Sequence, residues 1–238
     1  MGFWRRLLNR DQNNGIADAA AKLRKDDEIP TPVDNLLEDP RERARALGAA
    51  LELASSFGFS PKRDILVDDV PFDRLGGIEA FAAERLTTLL NLTAEEEQLF
   101  PRVLVFEYDF VDSNDAYDRM LREMAEATGT MEQFEDIHCD LHFGPDFQRH
   151  PMGEFHYTCN GTRYTHGVSS EGDWADPAVV VEMFARVTPA DMIRVTAEDS
   201  GHNYWVPKDL AERFRTILAA EELAARKRRE RWRASHQR

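Results

Sequence analysis

Five of the seven histidines fall between positions 138 and 166, together with both cysteines, Cys139 and Cys159. Imidazole, thiolate and carboxylate crowded into one stretch are the raw material of a metal centre. On a strand across this region His138, Asp140 and His142 share one face, opposite an apolar set of Ile137, Cys139, Leu141 and Phe143. Side chains two apart on a strand stand roughly 6.5–7 Å apart and can share one ion, whereas His138 and His142, roughly 13 Å apart, cannot. The best set is therefore one of these histidines, Asp140, and a cross-sheet neighbour such as His156. No zinc-binding helix signature, Cys-x-x-Cys pair or facial-triad spacing accompanies it. The same residues also suit the polar outer face of a half-buried sheet, and that reading assigns no metal and no cofactor.

Other reaction chemistries find less. There is no Gly-x-Ser-x-Gly elbow to expose a serine. Both cysteines fall on apolar strand faces, where a thiol is inert core. Gly76-Gly77 precedes a helix without the lysine or further glycines of a phosphate loop. The expectation is a protein without catalytic residues.

Carboxylates are the more telling feature. Asp109, Asp112 and Asp115 cluster where a strand hands over to a helix, a place where acidic groups cap and complement the positive helix end. With Glu107, Glu132, Glu135 and Asp136 they also compose an acidic recognition patch, to which Trp174 and Trp205 would add aromatic anchors. The bulk charge agrees. Of a net −14, residues 1–25 and 221–238 each carry +4, so the 195 residues between hold −22. Such a body repels phosphate-rich surfaces and attracts a basic protein. The basic tail Arg226–Arg233, with Trp232, either docks on this acidic body or touches nucleic acid.

The elements that must position these groups follow from periodicity and punctuation. Ile16–Lys25 is expected to be helical, with 28–38 a linker around Pro30 and Pro32. Asp39-Pro40 with Glu42 starts a helix running to about Ser56. A short strand is expected at Ile65–Val67, a helix over Ile78–Leu92, and a short helix behind the capping box Thr93–Glu96. Arg102–Phe110 alternates as a strand with Leu104, Phe106, Tyr108 and Phe110 on one face, and Ser113–Thr128 is a helix closed by Gly129. Glu135–Phe143 is the next strand. Glu154–Cys159 and Thr162–Ser169 flank Asn160-Gly161, a strong hairpin signal. A helix from Asp176-Pro177 to Val187, strands at Met192–Thr196 and Asn203–Val206, and a helix over Pro207–Arg233 complete the chain.

This order reads as α+β: a mainly antiparallel sheet with helices packed on one face, preceded by a helical N-terminal region. The parts are a basic helix and linker (1–35), a helical region (36–100), an α+β core (101–220) and a basic helical tail (221–238). No apolar run reaches the roughly 18 residues that span a membrane. Phe3, Trp4, Leu7 and Leu8 form a small apolar stripe without an export signal behind it, and two cysteines are too few for a disulfide framework. A cytoplasmic protein with reduced thiols is expected.

The stretch Gly161-Thr162-Arg163-Tyr164 through Gly172-Asp173-Trp174-Ala175-Asp176-Pro177 resembles small immunity proteins of bacterial polymorphic-toxin systems. There an Asn-Gly hairpin precedes a Gly-Asp-Trp-x-Asp-Pro turn into a helix, and a later strand carries aromatics, here Tyr204 and Trp205. The resemblance covers roughly Pro101–Leu218 and implies stoichiometric, non-enzymatic neutralisation of a basic toxin domain.

Overall fold

In a computed structural model of the chain, residues 39–94, 97–106, 111, 113–143, 151–169, 174–197 and 201–236 are described. The expected helix at Ile16–Lys25 and the stripe at 3–8 lie outside them. Helix α1 (Pro40–Ser55) starts as its sequence requires: Arg41 N–H donates to Asp39 Oδ1 at 2.9 Å, with Pro40 at the first helical position. It buries Leu47, Ala50 and Ala54.

The expected strand at Ile65–Val67 does not form. Arg63 grips both carboxylate oxygens of Asp69 at 2.8 Å, and Leu66 N–H donates to Asp69 Oδ2 at 2.7 Å, which winds Val67–Asp69 into a 3-10 turn instead. Three short helices follow, α2 (Phe72–Leu75), α3 (Ile78–Ala83) and α4 (Arg85–Leu90). The single helix expected over Ile78–Leu92 is broken at Glu84, whose backbone leaves the helical region at φ −132°, ψ 31°. The expected helix behind Thr93 is instead a tight hairpin, β1 (Thr93–Ala94) against β2 (Glu97–Gln98). Too few residues precede Pro101 to repay helix nucleation, while the hairpin lets Leu92 and Leu99 both enter the core.

Strand β3 (Val103–Val105) is shorter than expected, and Tyr108 and Phe110 lie outside the described residues. Helix α5 (Ala116–Thr128) begins behind Asp115 and ends at Gly129, at φ 71°, a left-handed stop that glycine adopts readily. Strand β4 (Phe134–His142), β5 (Met152–Cys159) and β6 (Thr162–Ser169) form one antiparallel sheet in the order β4-β5-β6. Asn160 and Gly161 turn the hairpin with φ of 48° and 74°, as a type I′ turn demands. Helix α6 (Pro177–Val187) leads to β7 (Met192–Thr196) and β8 (His202–Pro207), and helix α7 (Ala211–His236) closes the described chain.

The fold is α+β; among the described residues the strands beyond the β1–β2 hairpin form two antiparallel three-stranded sheets rather than one. The second sheet, β3-β8-β7, is covered on both faces. Alternate residues of β8 enter different cores: Tyr204 and Val206, beside Val103 and Val195, join the helical core of α1–α4 and α7 around Phe57, Phe81 and Phe214. Trp205 points the other way, into the core made by α5, α6 and β4–β6 around Tyr117, Phe155 and Phe184. A strand buried on both faces thereby ties the helical region to the α/β region. No helix among the described residues is long and apolar enough to cross a membrane.

Candidate functional site

The described members of the acidic set lie on the unit formed by α5 and β4, Asp115 at the start of the helix and Glu132, Glu135 and Asp136 beyond its other end. Helix α5 turns Tyr117, Met120, Leu121 and Met124 into the core, so its first-turn acids stay at the rim. Asp115 is exposed at the helix start, where the Ser113 hydroxyl donates to its Oδ1 at 2.6 Å and holds its pKa below the usual carboxylate value. Arg119 lies 3.9 Å away, one turn on. Asp118 is partly buried, and desolvation raises its pKa against the pull of His138, Arg122 and His156.

Strand β4 is an edge strand with a β-bulge between Glu135 and His138, and Asp136 in it takes φ 50°. The bulge interrupts alternation, so Glu135 and Asp136 are both exposed in succession, while Glu132 is exposed just before the strand. Among the described residues none of these three is in an ion pair. They are solvated carboxylates on a backbone fixed by the sheet. Glu107, Asp109 and Asp112 lie outside the described residues.

The two tryptophans part company. Trp174, just before α6, is 38% exposed and free to touch a partner. Trp205 is fully buried, donates its indole N–H to Thr188 Oγ1 at 2.9 Å and packs on Phe184. It is a core anchor, not a surface residue. Alternation alone could not reveal this, because β8 is buried on both faces.

The histidine set sits on the outer sheet face, where register brings His138 and His156 together and gives Asp140 and His142 other partners. His138 opposes His156, with ring centroids 5.4 Å apart; Asp140 opposes Glu154, and His142 opposes Met152. Among the described residues no group of three or more His, Cys, Asp or Glu converges as metal ligands. The thiols face the core. Burial pushes Cys139 up to about 12 and raises Cys159 as well.

Comparison with protein-family models, curated proteins and solved structures finds no match to this chain.

A second polar concentration, unmarked in the sequence, lies where α7 crosses the helical region. A cleft of about 360 Å³ there is lined by Glu84, His202, Arg215, Glu222 and Arg229 over Val195 and Leu218. Burial raises the Glu84 pKa while Arg228 and Arg229 oppose the rise, and Arg228 Nη2 stands 2.8 Å from Glu84 Oε1. Arg228 also donates to the Ala80 carbonyl at 3.2 Å. The basic tail is thus partly engaged with its own chain, while Arg226, Lys227, Arg229, Arg231 and Arg233 remain exposed. Its signal was the apolar spacing of α7, which predicts a docked helix but not the groups it docks on.

Proposed function

We propose that the chain is a non-catalytic protein-binding module that covers a basic surface of its partner with the acidic edge made by α5 and β4. The observation that carries this reading is the bulged edge strand. It holds Glu135 and Asp136 side by side in solvent, with Glu132 and Asp115 on the same α5–β4 unit. Fixed, solvated carboxylates speed encounter with a cationic surface and set its register. Trp174 supplies an exposed aromatic of the kind that contributes most affinity per residue. The resemblance to immunity proteins makes a basic toxin domain the partner class, and the mechanism would be occlusion.

The test is isolation of the partner with the tagged full chain, native mass spectrometry of the complex, and association rates at low and high salt. One partner per chain is expected. The rate should fall with salt and drop about tenfold or more in E132K/E135K/D136N, with the melting temperature unchanged because Asn keeps the positive φ of position 136. A partner whose association ignores both salt and the triple substitution would end the proposal.

A further inference from the structure

The sheet β4-β5-β6 has two edges, and they are built differently. The β4 edge carries a bulge and the charges of Glu135, Asp136 and Asp140, devices that keep other strands from pairing. The β6 edge carries none of them. Thr162–Ser169 pairs with β5 over its whole length without a bulge, contains no proline, lysine or acid, and has Arg163 as its one permanent charge. Among the described residues no other strand pairs with it.

Its free groups can be named. The two-residue type I′ turn makes Cys159 and Thr162 a hydrogen-bonded pair, and bonding alternates from there. The N–H and C=O of Arg163, Thr165 and Gly167 therefore point away from β5. Ser169, next in that series, gives its N–H to Asp176 Oδ2 at 3.2 Å, which ends the open run.

We propose that this edge is a homodimer interface, with β6 pairing antiparallel to β6 of a second copy about a two-fold axis at Thr165. Only registers that match outward groups to outward groups can form, and this one uses all three residues. Thr165 meets its own symmetry mate and Arg163 meets Gly167 of the other copy. The second copy is favoured over a foreign strand by what this register brings together on each face.

On the outer face Gly167 lies beside Glu154 of β5. Strands in a sheet are about 4.8 Å apart, so Arg163 stands about 10 Å from Glu154 of the mate, backbone to backbone. Gly167 between them has no side chain, and the space where its Cβ would stand is open. The guanidinium and the carboxylate can therefore meet across it, twice by symmetry. On the inner face Tyr164 comes opposite His166 of the mate. This prolongs the stack that Tyr157 already makes with Tyr164 at 5.3 Å and His166 at 5.6 Å. The joined sheet runs β4-β5-β6-β6-β5-β4, which puts the two acidic β4 edges at its far ends, roughly 24 Å apart. Two chains of net −14 can then associate through the one strand of this sheet that carries no acid.

Sedimentation equilibrium of the full chain tests this. The mass should rise with concentration from 27.3 kDa to twice that value. Arg163→Glu and Glu154→Arg should each weaken association about tenfold, and the two together should restore it. Thr165→Pro, which removes a central N–H facing away from β5, should leave a monomer that melts like the parent at concentrations where the parent is itself monomeric. A wild-type mass of 27.3 kDa at every concentration would overturn the proposal. So would a dimer indifferent to all three single substitutions, or a charge-swapped double variant as weak as the singles. None of these readouts involves the basic partner proposed above.

Discussion

Leu86, in the first turn of α4, donates its backbone N–H to Glu221 Oε1 on α7 at 2.9 Å. Thr87 gives the same carboxylate two more bonds, from its N–H at 2.9 Å and its hydroxyl at 2.7 Å. Helix α4 has no side-chain cap of its own, so its start is capped by a residue 135 positions away. Glu221 is 7% exposed, and water cannot substitute for it. Glu221→Ala should cost about 3 kcal/mol, the price of leaving buried donors unpaired. Glu221→Gln, which turns an amide N–H₂ toward one of those donors, should fall between it and the parent. Denaturant titration of both variants measures the difference.

Asp118 makes the opposite contribution at neutral pH. One of its carboxylate oxygens, Oδ1, is buried without a donor among the described residues, and desolvation lifts its pKa above the ordinary 3.8. The folded state then holds a proton that the unfolded chain has released. Stability attributable to this group is full below the unfolded value and is lost as pH rises through the folded one. Asp118→Asn should therefore raise the melting temperature at pH 7 and lose that advantage in acid. Asp69 titrates the other way. Held at about 2 by Arg63 and the Leu66 N–H, it contributes above its ordinary 3.8 and stops contributing as pH falls toward 2. Thermal melts of Asp118→Asn and Asp69→Asn across the acid range should give pH profiles of opposite slope.

What the sequence discloses and what it hides divide along sequence distance. Asp39-Pro40 and Asn160-Gly161 were legible because each signal is local: a cap two residues from its donor, and two residues that tolerate positive φ. The Thr93 capping box misled because the same residues also suit a hairpin, and Leu92 and Leu99, not the box, decide between them. The helix expected over Ile78–Leu92 broke at Glu84 through contacts with Arg228 and Glu221, distant in sequence. Trp205 was misplaced for the same reason, since which face of a strand is covered depends on what packs there. Of the acidic patch, the exposure of Asp136 could be read from alternation, since it shares the parity of His138 and Asp140. The exposure of Glu135, which has the parity of the buried Ile137 and Cys139, required the bulge, which no local pattern announced.

Glycines 153 and 167 lie on adjacent strands, and the structure assigns them opposite tolerance. A Cβ at Gly153 would lie 2.0 Å from the Asp140 carbonyl oxygen, so β4 and β5 can pair there only without a side chain. Backbone cannot yield as a flexible side chain would. Gly153→Ala should destabilise by about 3 kcal/mol or more. At Gly167 nothing lies within 4 Å of the added carbon, and Gly167→Ala should stay within about 0.5 kcal/mol of the parent. Equal costs at the two positions in chemical denaturation would contradict the β4–β5 register.

The cysteines provide a probe of the second core that leaves the chain unaltered. Cys139 lies between Ile137 and Leu141 on the buried face of β4, and Cys159 closes β5 beside Phe134. Burial, with Asp118 adding to it, pushes the Cys139 thiol up to about 12, and burial raises Cys159 too. At pH 8 almost none of Cys139 is thiolate, the form that attacks a disulfide reagent, and Cys159 is less ionised than a free thiol. Labelling of the native chain should therefore be slow and limited by opening of the fold, whereas both thiols should react at once in denaturant. Because Cys159 sits at one end of the β4–β5 ladder and Cys139 near its middle, their native rates should report separately on those two places. Substitution of Phe155, which faces Cys139 across the ladder, should speed labelling at Cys139 more than at Cys159. Fast native labelling of Cys139 would mean that this face of β4 is not the buried one.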